Sequence, residues 1–211
     1  MKKIYFVRHG ECEGNAGLIR SSEESPLTKK GQKQAGIVAK RCAKLPIEIV
    51  ICSTMVRAKQ TADIILEKAK KPIEYSDLFV ERRRAKEAYN VPKDDPKGLE
   101  AEKIFFANFH LPGYRYSDEE NFDDLKKRAV KALKLLEDMP EEHILVVTHG
   151  FFMRVVMAYA LFGKKLTGDE CARFVHKLHM ENTGITVFGY DKEQKYSPWW
   201  LWIWNDHAHL D

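Results

Sequence analysis

Two histidines lie directly after apolar segments that have the length and composition of buried strands. His9 follows residues 4–7 and is preceded by Arg8, and His149 follows residues 144–147. Each histidine is followed by a glycine. Because ligands of open α/β sheets bind at the carboxyl ends of strands, we expect both imidazoles to line one site, and the arginine indicates an anionic ligand. For one histidine alone, a structural role in a turn would be the better interpretation.

Five short motifs follow one another along the chain in a fixed order. They are Arg-His-Gly-Glu at residues 8–11 with Asn15, the turn at 26–31, the segment at 52–62, Val-Thr-His-Gly at 147–150, and the strand entry at 182–186. In this order they resemble the signatures of the histidine phosphatase (phosphoglycerate mutase-like) superfamily. The ending at 205–210 also resembles that family, and only residues 82–142 match it poorly. The resemblance implies that His9 is phosphorylated and that His149 supports the transferring phosphoryl group.

The residue types at this site suit phosphoryl transfer. A phosphoryl group carries its charge on non-bridging oxygens, and catalysis is mainly their positioning and electrostatic stabilisation. Arg8 and Arg57 keep their charge and can each grip two oxygens, while Asn15 would donate a further hydrogen bond. A neutral His9 would attack through one ring nitrogen while a backbone carbonyl holds the other. We expect Gly150, at a helix N-terminus, to add a backbone amide for the anion.

The leaving alcohol needs a proton, and Glu81 is the candidate acid. It follows an apolar stretch and matches the acid of the family's Leu-x-x-Glu-type segment. Such an acid needs a raised pKa, which burial or neighbouring negative charge would supply. The alternative is a salt bridge between Glu81 and one of the arginines at 82–84. Glu87 and Glu11 are lesser candidates, and Glu11 is better explained as structural.

Apolar periodicity predicts alternating strands and helices. Strands are predicted at 3–7, 47–52, 143–148, 184–190 and 198–205, and helices at 31–44, 58–70, 122–137 and 150–161, with a short helix possible at 99–109. The alternation indicates βαβ units. We therefore predict an α/β fold with a mostly parallel central sheet flanked by helices, and the family resemblance implies that it is a phosphoglycerate mutase-like three-layer sandwich. It would form a single domain over residues 1–211.

The last predicted strand carries four tryptophans, at positions 199, 200, 202 and 204. A strand buried on both faces is the favoured interpretation, and a platform that stacks a nucleobase or sugar is the alternative.

Composition limits the possible partners and location. The 211 residues carry a net charge of only +4, and no basic stripe with interleaved aromatics is present, so we expect no nucleic-acid partner. Only four apolar residues precede Arg8, which is too few for a secretory signal, and the apolar run at 151–162 is too short to span a membrane. Four scattered cysteines, without a Cys-x-x-Cys pair, fit a reducing cytoplasm. The sequence leaves the oligomeric state open.

Residues 82–120 are expected to form an insertion that selects the substrate. They combine a basic cluster with an aromatic component. The basic cluster is Arg82, Arg83, Arg84 and Lys86, and the aromatic residues are Phe105, Phe106, Phe109, Tyr114 and Tyr116. Long irregular insertions are usually functional or mobile, although the cluster could be a solvated face. The small phosphorylated substrate cannot be named from these residues.

Other functions receive less support from the sequence. A cysteine phosphatase needs an arginine six residues after its cysteine, and none of the four cysteines has one. A metallohydrolase would use His9, Glu11 and His149, but no His-Glu-x-x-His is present and the flanking arginine is adverse, so we expect neither a metal nor a cofactor. A mutase shares the phosphohistidine step, but no glycine-containing Tyr-Gly segment follows Glu81, which favours a phosphatase. A non-catalytic binder of phosphorylated ligands would not need the nucleophile.

Overall fold

A six-stranded sheet forms the centre of the protein. The computed structural model describes residues 1–17, 19–20 and 22–210. The strands are β1 (Lys2–Arg8), β2 (Ile49–Cys52), β3 (Ile73–Tyr75), β4 (His143–Thr148), β5 (Ile185–Tyr190) and β6 (Trp199–Asp206). They lie in the order β3-β2-β4-β1-β5-β6. Strands β1, β2, β3 and β4 run parallel to one another, and β5 pairs antiparallel with both β1 and β6. The mostly parallel sheet predicted from the sequence is confirmed.

Helices cover both faces of this sheet. They are α1 (Glu13–Ala16), α2 (Lys29–Cys42), α3 (Val56–Ala69), α4 (Pro96–Asn108), α5 (Phe122–Asp138), α6 (Gly150–Phe162) and α7 (Gly168–Lys177), with short 3₁₀ turns at Asp77–Phe79, Lys86–Ala88 and Gly163–Lys165. Because successive side chains of a strand point to opposite faces, β1 sends Ile4 and Phe6 into a core with α5 and α6, and Tyr5 and Val7 into a core with α2 and α3. This is the predicted three-layer arrangement.

The two central strands bring the two histidines together. In β1 and β4, Arg8 pairs with Thr148, and the backbone N–H of His9 donates to the carbonyl of Thr148 at 3.0 Å. The carboxyl ends of both strands therefore lie side by side, and His149 lies beside His9 there. The placement follows from the parallel register alone.

Several elements differ from the prediction. The half-exposed strand β3 and the helix α7 were not predicted, and α4 begins at Pro96, where the side chain of Asp95 accepts from the N–H of Gly98 and caps the helix. The expectation that the tryptophan-rich strand is buried on both faces is wrong, because β6 is an edge strand. Trp199 is buried, whereas Trp202 is 49% exposed.

Within the part of the chain that the structure describes, no helix combines the length and apolar character needed to cross a membrane.

Candidate active site

His9 is held in one tautomer at the end of β1. Its Nδ1 lies 2.7 Å from the carbonyl oxygen of Gly10, so Nδ1 carries the proton and donates it. Its Nε2 accepts from Nε of Arg57 at 3.2 Å and therefore presents a lone pair. Burial lowers the pKa of His9 well below 6.5, and the charges of Arg57, His149 and Arg8 lower it further. The result is a neutral imidazole with its unprotonated nitrogen inside the site.

His149 is held differently, in the N-cap position of α6. Its Nε2 lies 2.8 Å from Oγ of Ser53, and that oxygen accepts from the backbone N–H of Met55 at 3.3 Å. We assign the Ser53 hydroxyl as the donor to Nε2, which places the ring proton on Nδ1. Among the described residues, the buried Nδ1 has no hydrogen-bond partner.

The two imidazoles lie side by side and remain uncharged near neutrality. Their ring centroids are 5.0 Å apart. Burial lowers the pKa of His149 well below 6.5, with Arg57, Arg128 and Arg8 adding to the effect. The neutral His149 can therefore donate a hydrogen bond through Nδ1 to an anion held beside His9.

Two guanidinium groups complete the cationic pocket. Arg57 comes from the first turn of α3, is 3% exposed, and donates through Nη1 to the carbonyl of Ser22 at 2.8 Å. Arg8 donates to the carbonyl of Met180 at 2.5 Å, while its buried Nε has no partner among the described residues. Arg8 lies across Gly150, where an added Cβ would approach Nε to 3.1 Å. The structure thus brings together His9, His149, Arg8 and Arg57.

Polar side chains fix the loop that carries His9. Oγ1 of Thr61 accepts from the N–H of Gly10 at 3.1 Å and donates to the carbonyl of Arg57 at 2.7 Å. On the other side, Nδ2 of Asn182 donates to the carbonyl of His9 at 2.8 Å. Ser53, Thr61 and Asn182 lie in the motifs at 52–62 and 182–186, but their hydrogen bonds to distant residues could not be predicted from those motifs.

Asn15 lies at the mouth of the pocket. Its Oδ1 accepts from the N–H and the Sγ of Cys12, at 3.4 and 3.3 Å, and from Nδ2 of Asn182 at 3.5 Å. These hydrogen bonds to Oδ1 orient the carboxamide, and its NH₂ group is the donor that could bind an anion. Its predicted contact with the phosphoryl group stays a prediction.

Glu81 faces the N-terminus of α6. Its Oε1 accepts from the backbone N–H groups of Phe152 at 2.9 Å and of Arg82 at 3.0 Å, and its Oε2 accepts from Phe151 at 3.1 Å. Burial raises its pKa, but these three N–H donors and the charge of Arg57 outweigh burial and hold the pKa below its ordinary value. The expectation of a raised pKa is wrong for this arrangement, because the carboxylate caps a helix.

The salt-bridge alternative for Glu81 does not match the geometry. Arg82 and Arg84 both pair with Glu102, at 2.6 and 3.2 Å, and Nε of Arg83 donates to the carbonyl of Asp118. Across the described ranges, the ion pairs do not include Glu81.

The two lesser candidate acids have other partners. Glu11 pairs with Lys30 and accepts from Thr28, which ties the first loop to α2, and Glu87 accepts from Ser117 at 3.2 Å.

The entrance to the pocket is a cavity of about 320 Å³. Its walls combine site residues with residues from the segment 82–120 and from the loop after α7. They are Arg8, Asn15, Glu81, Arg82, Arg84, Glu102, Phe106, Gly150, Phe151, Arg154, His179 and Met180. Of the aromatic residues expected to contribute from 82–120, Phe106 lines this cavity, whereas Phe105 and Phe109 pack into the core.

This fold and this set of side chains form a cationic pocket, lined by two histidines, at the carboxyl ends of the parallel strands. A family model for the histidine phosphatase superfamily (branch 1) matches residues 4–204. The chain belongs to that superfamily, whose resemblance was evident in the sequence motifs.

Curated relatives carry two kinds of name. A "probable phosphoglycerate mutase", GpmB, of Salmonella arizonae is 29% identical over 217 residues, covering 100% of this chain and 96% of the relative. A "probable phosphatase" of Schizosaccharomyces pombe is 28% identical over 193 residues, covering 87% and 85%. These relatives therefore divide between mutase and phosphatase names.

Solved structures agree with the fold along the whole chain. YhfR of Bacillus stearothermophilus superposes with a TM-score of 0.83 at 24% identity, with full coverage of both chains. A phosphoserine phosphatase (H9A mutant) of Entamoeba histolytica, solved in complex with phosphoserine, has a TM-score of 0.75 at 24% identity, again with full coverage.

Proposed function

We propose that this protein is a phosphatase that hydrolyses a small phosphomonoester through a phosphohistidine at His9. The observation that carries the proposal is the arrangement of three buried nitrogens: Nε2 of His9 is unprotonated, while Nε of Arg8 and Nδ1 of His149 have no hydrogen-bond partner among the described residues. Buried donors are almost always hydrogen-bonded, so two orphaned donors beside a nucleophile fit an anion-binding site. A binder of phosphorylated ligands would need the donors but not the oriented lone pair.

In the first step, Nε of Arg57 exchanges its hydrogen bond to Nε2 of His9 for one to a phosphoryl oxygen, Nε2 attacks phosphorus, and the bond from phosphorus to the alcohol oxygen breaks. The guanidinium groups of Arg8 and Arg57 and the N–H of His149 take up the charge of the non-bridging oxygens. Protonated Glu81 gives its proton to the departing alkoxide. Water then attacks the phosphorus of phospho-His9, Glu81 accepts a proton from that water, and inorganic phosphate leaves with His9 neutral again.

The low pKa of Glu81 is compatible with this role because the bound phosphoryl group changes its surroundings. Negative charge close to a carboxylate favours the protonated form. A phosphomonoester dianion beside Arg57 also offsets the cationic charge that lowers the pKa of Glu81. We propose that Glu81 takes up its proton together with the substrate.

Hydrolysis is favoured over phosphoryl return by the charged entrance. A mutase must keep water away from its phosphohistidine, whereas this cavity has the charged, water-binding walls Arg82, Arg84, Glu102 and Arg154.

We further propose that residues 1–211 form one domain in which the segment 82–120 selects the substrate. We also propose a reducing cytoplasm as the location, which suits a chain whose four cysteines are all buried.

The proposal is tested by phosphate release from a panel of phosphomonoesters that includes p-nitrophenyl phosphate, phosphoserine, phosphoglycerates, sugar phosphates and nucleotides. His9→Ala serves as the inactive control, and EDTA tests for a metal requirement. We expect phosphate release from at least one small substrate, unchanged by EDTA and abolished by His9→Ala. Release that zinc restores after chelation would favour a metallohydrolase.

A mutase is the second candidate, because the relative from Salmonella carries that name. The test is incubation with 3-phosphoglycerate and a catalytic amount of 2,3-bisphosphoglycerate. We expect little 2-phosphoglycerate to form while a small phosphomonoester is hydrolysed. Isomerisation faster than phosphate release on every substrate would assign the mutase activity instead.

A further inference from the structure

Arg128, in the middle of α5, lies behind the segment that carries Glu81. Its Nη1 donates to the carbonyl of Val80 at 2.7 Å and to that of Leu78 at 3.3 Å, and its Nη2 is 3.5 Å from the carbonyl of Glu81. One guanidinium group thus binds the backbone immediately before and at the candidate acid.

A carboxylate fixes this guanidinium group in place. Glu120 accepts from Nε and Nη2 of Arg128 at 2.8 and 2.7 Å, in a two-pronged pair whose side chains are only 12% and 14% exposed. The same carboxylate accepts from the backbone N–H of Arg83 at 2.9 Å. The pair therefore holds the chain on both sides of Glu81, and its planar geometry cannot be reproduced by an ammonium group.

Arg128 also contacts the helix turn that receives the Glu81 carboxylate. Its guanidinium lies 3.6 Å from the ring centroid of Phe152, and the backbone N–H of Phe152 donates to Oε1 of Glu81 at 2.9 Å. Arg128 therefore contacts both the backbone of Glu81 and the first turn of α6, whose N–H groups bind the Glu81 carboxylate.

We infer that Arg128 is a positioning residue for Glu81, and that it acts on proton transfer to the leaving group through the geometry of residues 78–81. The inference rests on the proposed function, in which Glu81 is the acid. Displacing a catalytic group by about 1 Å can cost about 100-fold in rate, so a residue outside the pocket can control this step.

The test compares Arg128→Lys with the wild type on two substrates, an alkyl phosphate that the enzyme hydrolyses and p-nitrophenyl phosphate. Nitrophenolate leaves without a proton, so only the alkyl phosphate depends on the acid. We expect kcat to fall by about 10- to 100-fold on the alkyl phosphate, and by less than about threefold on p-nitrophenyl phosphate.

Three further variants separate positioning from simple destabilisation. Arg115→Gln is the matched control, because Arg115 pairs with Asp124 on the same helix and donates to the carbonyl of Glu119 rather than to residues 78–81. Glu120→Gln weakens the pair with Arg128 but keeps the Arg128 side chain. It should show the same selective loss on the alkyl phosphate, in weaker form. In a Glu81→Gln background, Arg128→Lys should produce no further loss on the alkyl phosphate.

The outcomes separate this inference from the proposed function. If Glu81→Gln slows the alkyl phosphate selectively but Arg128→Lys slows both substrates equally, or adds its full effect in the Glu81→Gln background, Arg128 is only structural. If Glu81→Gln itself slows both substrates equally, Glu81 is not the acid and the inference falls with that assignment. Selective loss in Arg128→Lys and Glu120→Gln, absent in Arg115→Gln, supports it.

Discussion

At the scale of single residues, hydrogen bonds give the two active-site histidines different roles. The carbonyl of Gly10 accepts a hydrogen bond from Nδ1 of His9, which leaves Nε2 unprotonated as the proposed nucleophile. The hydroxyl of Ser53 bonds to Nε2 of His149, and with that hydroxyl as the donor the ring proton lies on Nδ1. The strand–histidine–glycine pattern predicted both side chains, but not which nitrogen each presents, because that depends on partners from elsewhere in the chain.

Ser53→Ala removes the group that orients His149. Loss of the outer partner of a metal-binding histidine typically costs about 10- to 100-fold in affinity or activity. By analogy we expect a fall of about that size in kcat on p-nitrophenyl phosphate, with a smaller change in KM. Thr54→Ala is the matched control, because the Thr54 hydroxyl bonds to Asp77 at the surface. Wild-type kcat in Ser53→Ala would show that His149 needs no such partner.

Glu81→Gln keeps an acceptor oxygen for the N-terminus of α6 but removes the transferable proton. General acid catalysis contributes about 10²- to 10⁴-fold, so turnover of alkyl phosphates should fall by an amount in that range. Turnover of p-nitrophenyl phosphate should fall much less, and the measurement is steady-state kcat on both substrates. Equal losses would move the acid role to another residue.

At the scale of elements, the loop after β1 sits directly against the first turn of α2. An added Cβ at Gly31 would lie 1.9 Å from the carbonyl oxygen of Glu11, and one at Gly10 would lie 2.5 Å from the carbonyl oxygen of Gly31. Two glycines therefore allow a helix and the nucleophile loop to approach backbone to backbone. The position of His9 thus depends on α2 as well as on its own strand.

Gly31→Ala should force these elements apart. We expect destabilisation of about 1–3 kcal/mol, as for overpacking elsewhere, together with a loss of activity. Gly36→Ala is the matched control on the same helix, where an added Cβ meets nothing within 4 Å. Because alanine favours helix more than glycine does, that variant should be stabilised by up to about 1 kcal/mol. Thermal unfolding and kcat measure both, and equal effects of the two substitutions would contradict the close-contact account.

The sequence predicted the elements that have a strong local pattern. The apolar runs of β1 and β4 and the amphipathic helix α5 carry their own signals. Helix α7 was missed although Thr167 and Glu170 form a capping box at its start, a signal that periodicity alone does not register. The position of β6 at the sheet edge could not be predicted, because the order of strands is set by contacts distant in sequence.

The partners of Glu81 were also beyond local reasoning. Its carboxylate is bonded by the first turn of α6, about 70 residues further along the chain. A sequence pattern places this glutamate after an apolar stretch, but the direction of its pKa shift depends on that distant turn.

At the scale of the whole molecule, the two buried histidines make the folded protein less stable at acidic pH. Both His9 and His149 have a pKa depressed below 6.5 in the folded protein, because burial and the nearby arginines disfavour their charged forms. Below pH 6.5 the unfolded chain binds protons that the folded chain does not, so stability is full above that pH and falls as the pH drops toward the folded-state values. Each histidine contributes a slope of up to about 1.4 kcal/mol per pH unit in that window.

This linkage predicts that His149→Asn loses stability less steeply on acidification than the wild type does. Denaturant unfolding between about pH 7.5 and about pH 5 measures the slope. The exposed His207 offers a matched control, since His207→Asn leaves both buried imidazoles in place and should follow the wild-type curve. Parallel curves for wild type and His149→Asn would mean that His149 titrates alike in the folded and unfolded chains.

The central claim is that His9 carries the phosphoryl group, and trapping that intermediate tests it most directly. The enzyme is mixed with a phosphorus-32-labelled phosphomonoester, quenched in alkali during turnover, and digested to locate the label. We predict label on the peptide that contains His9, stable in alkali and lost in acid as a phosphoramidate is, and absent from His9→Ala. Rapid turnover with label absent from that peptide, or label retained in His9→Ala, would contradict the account.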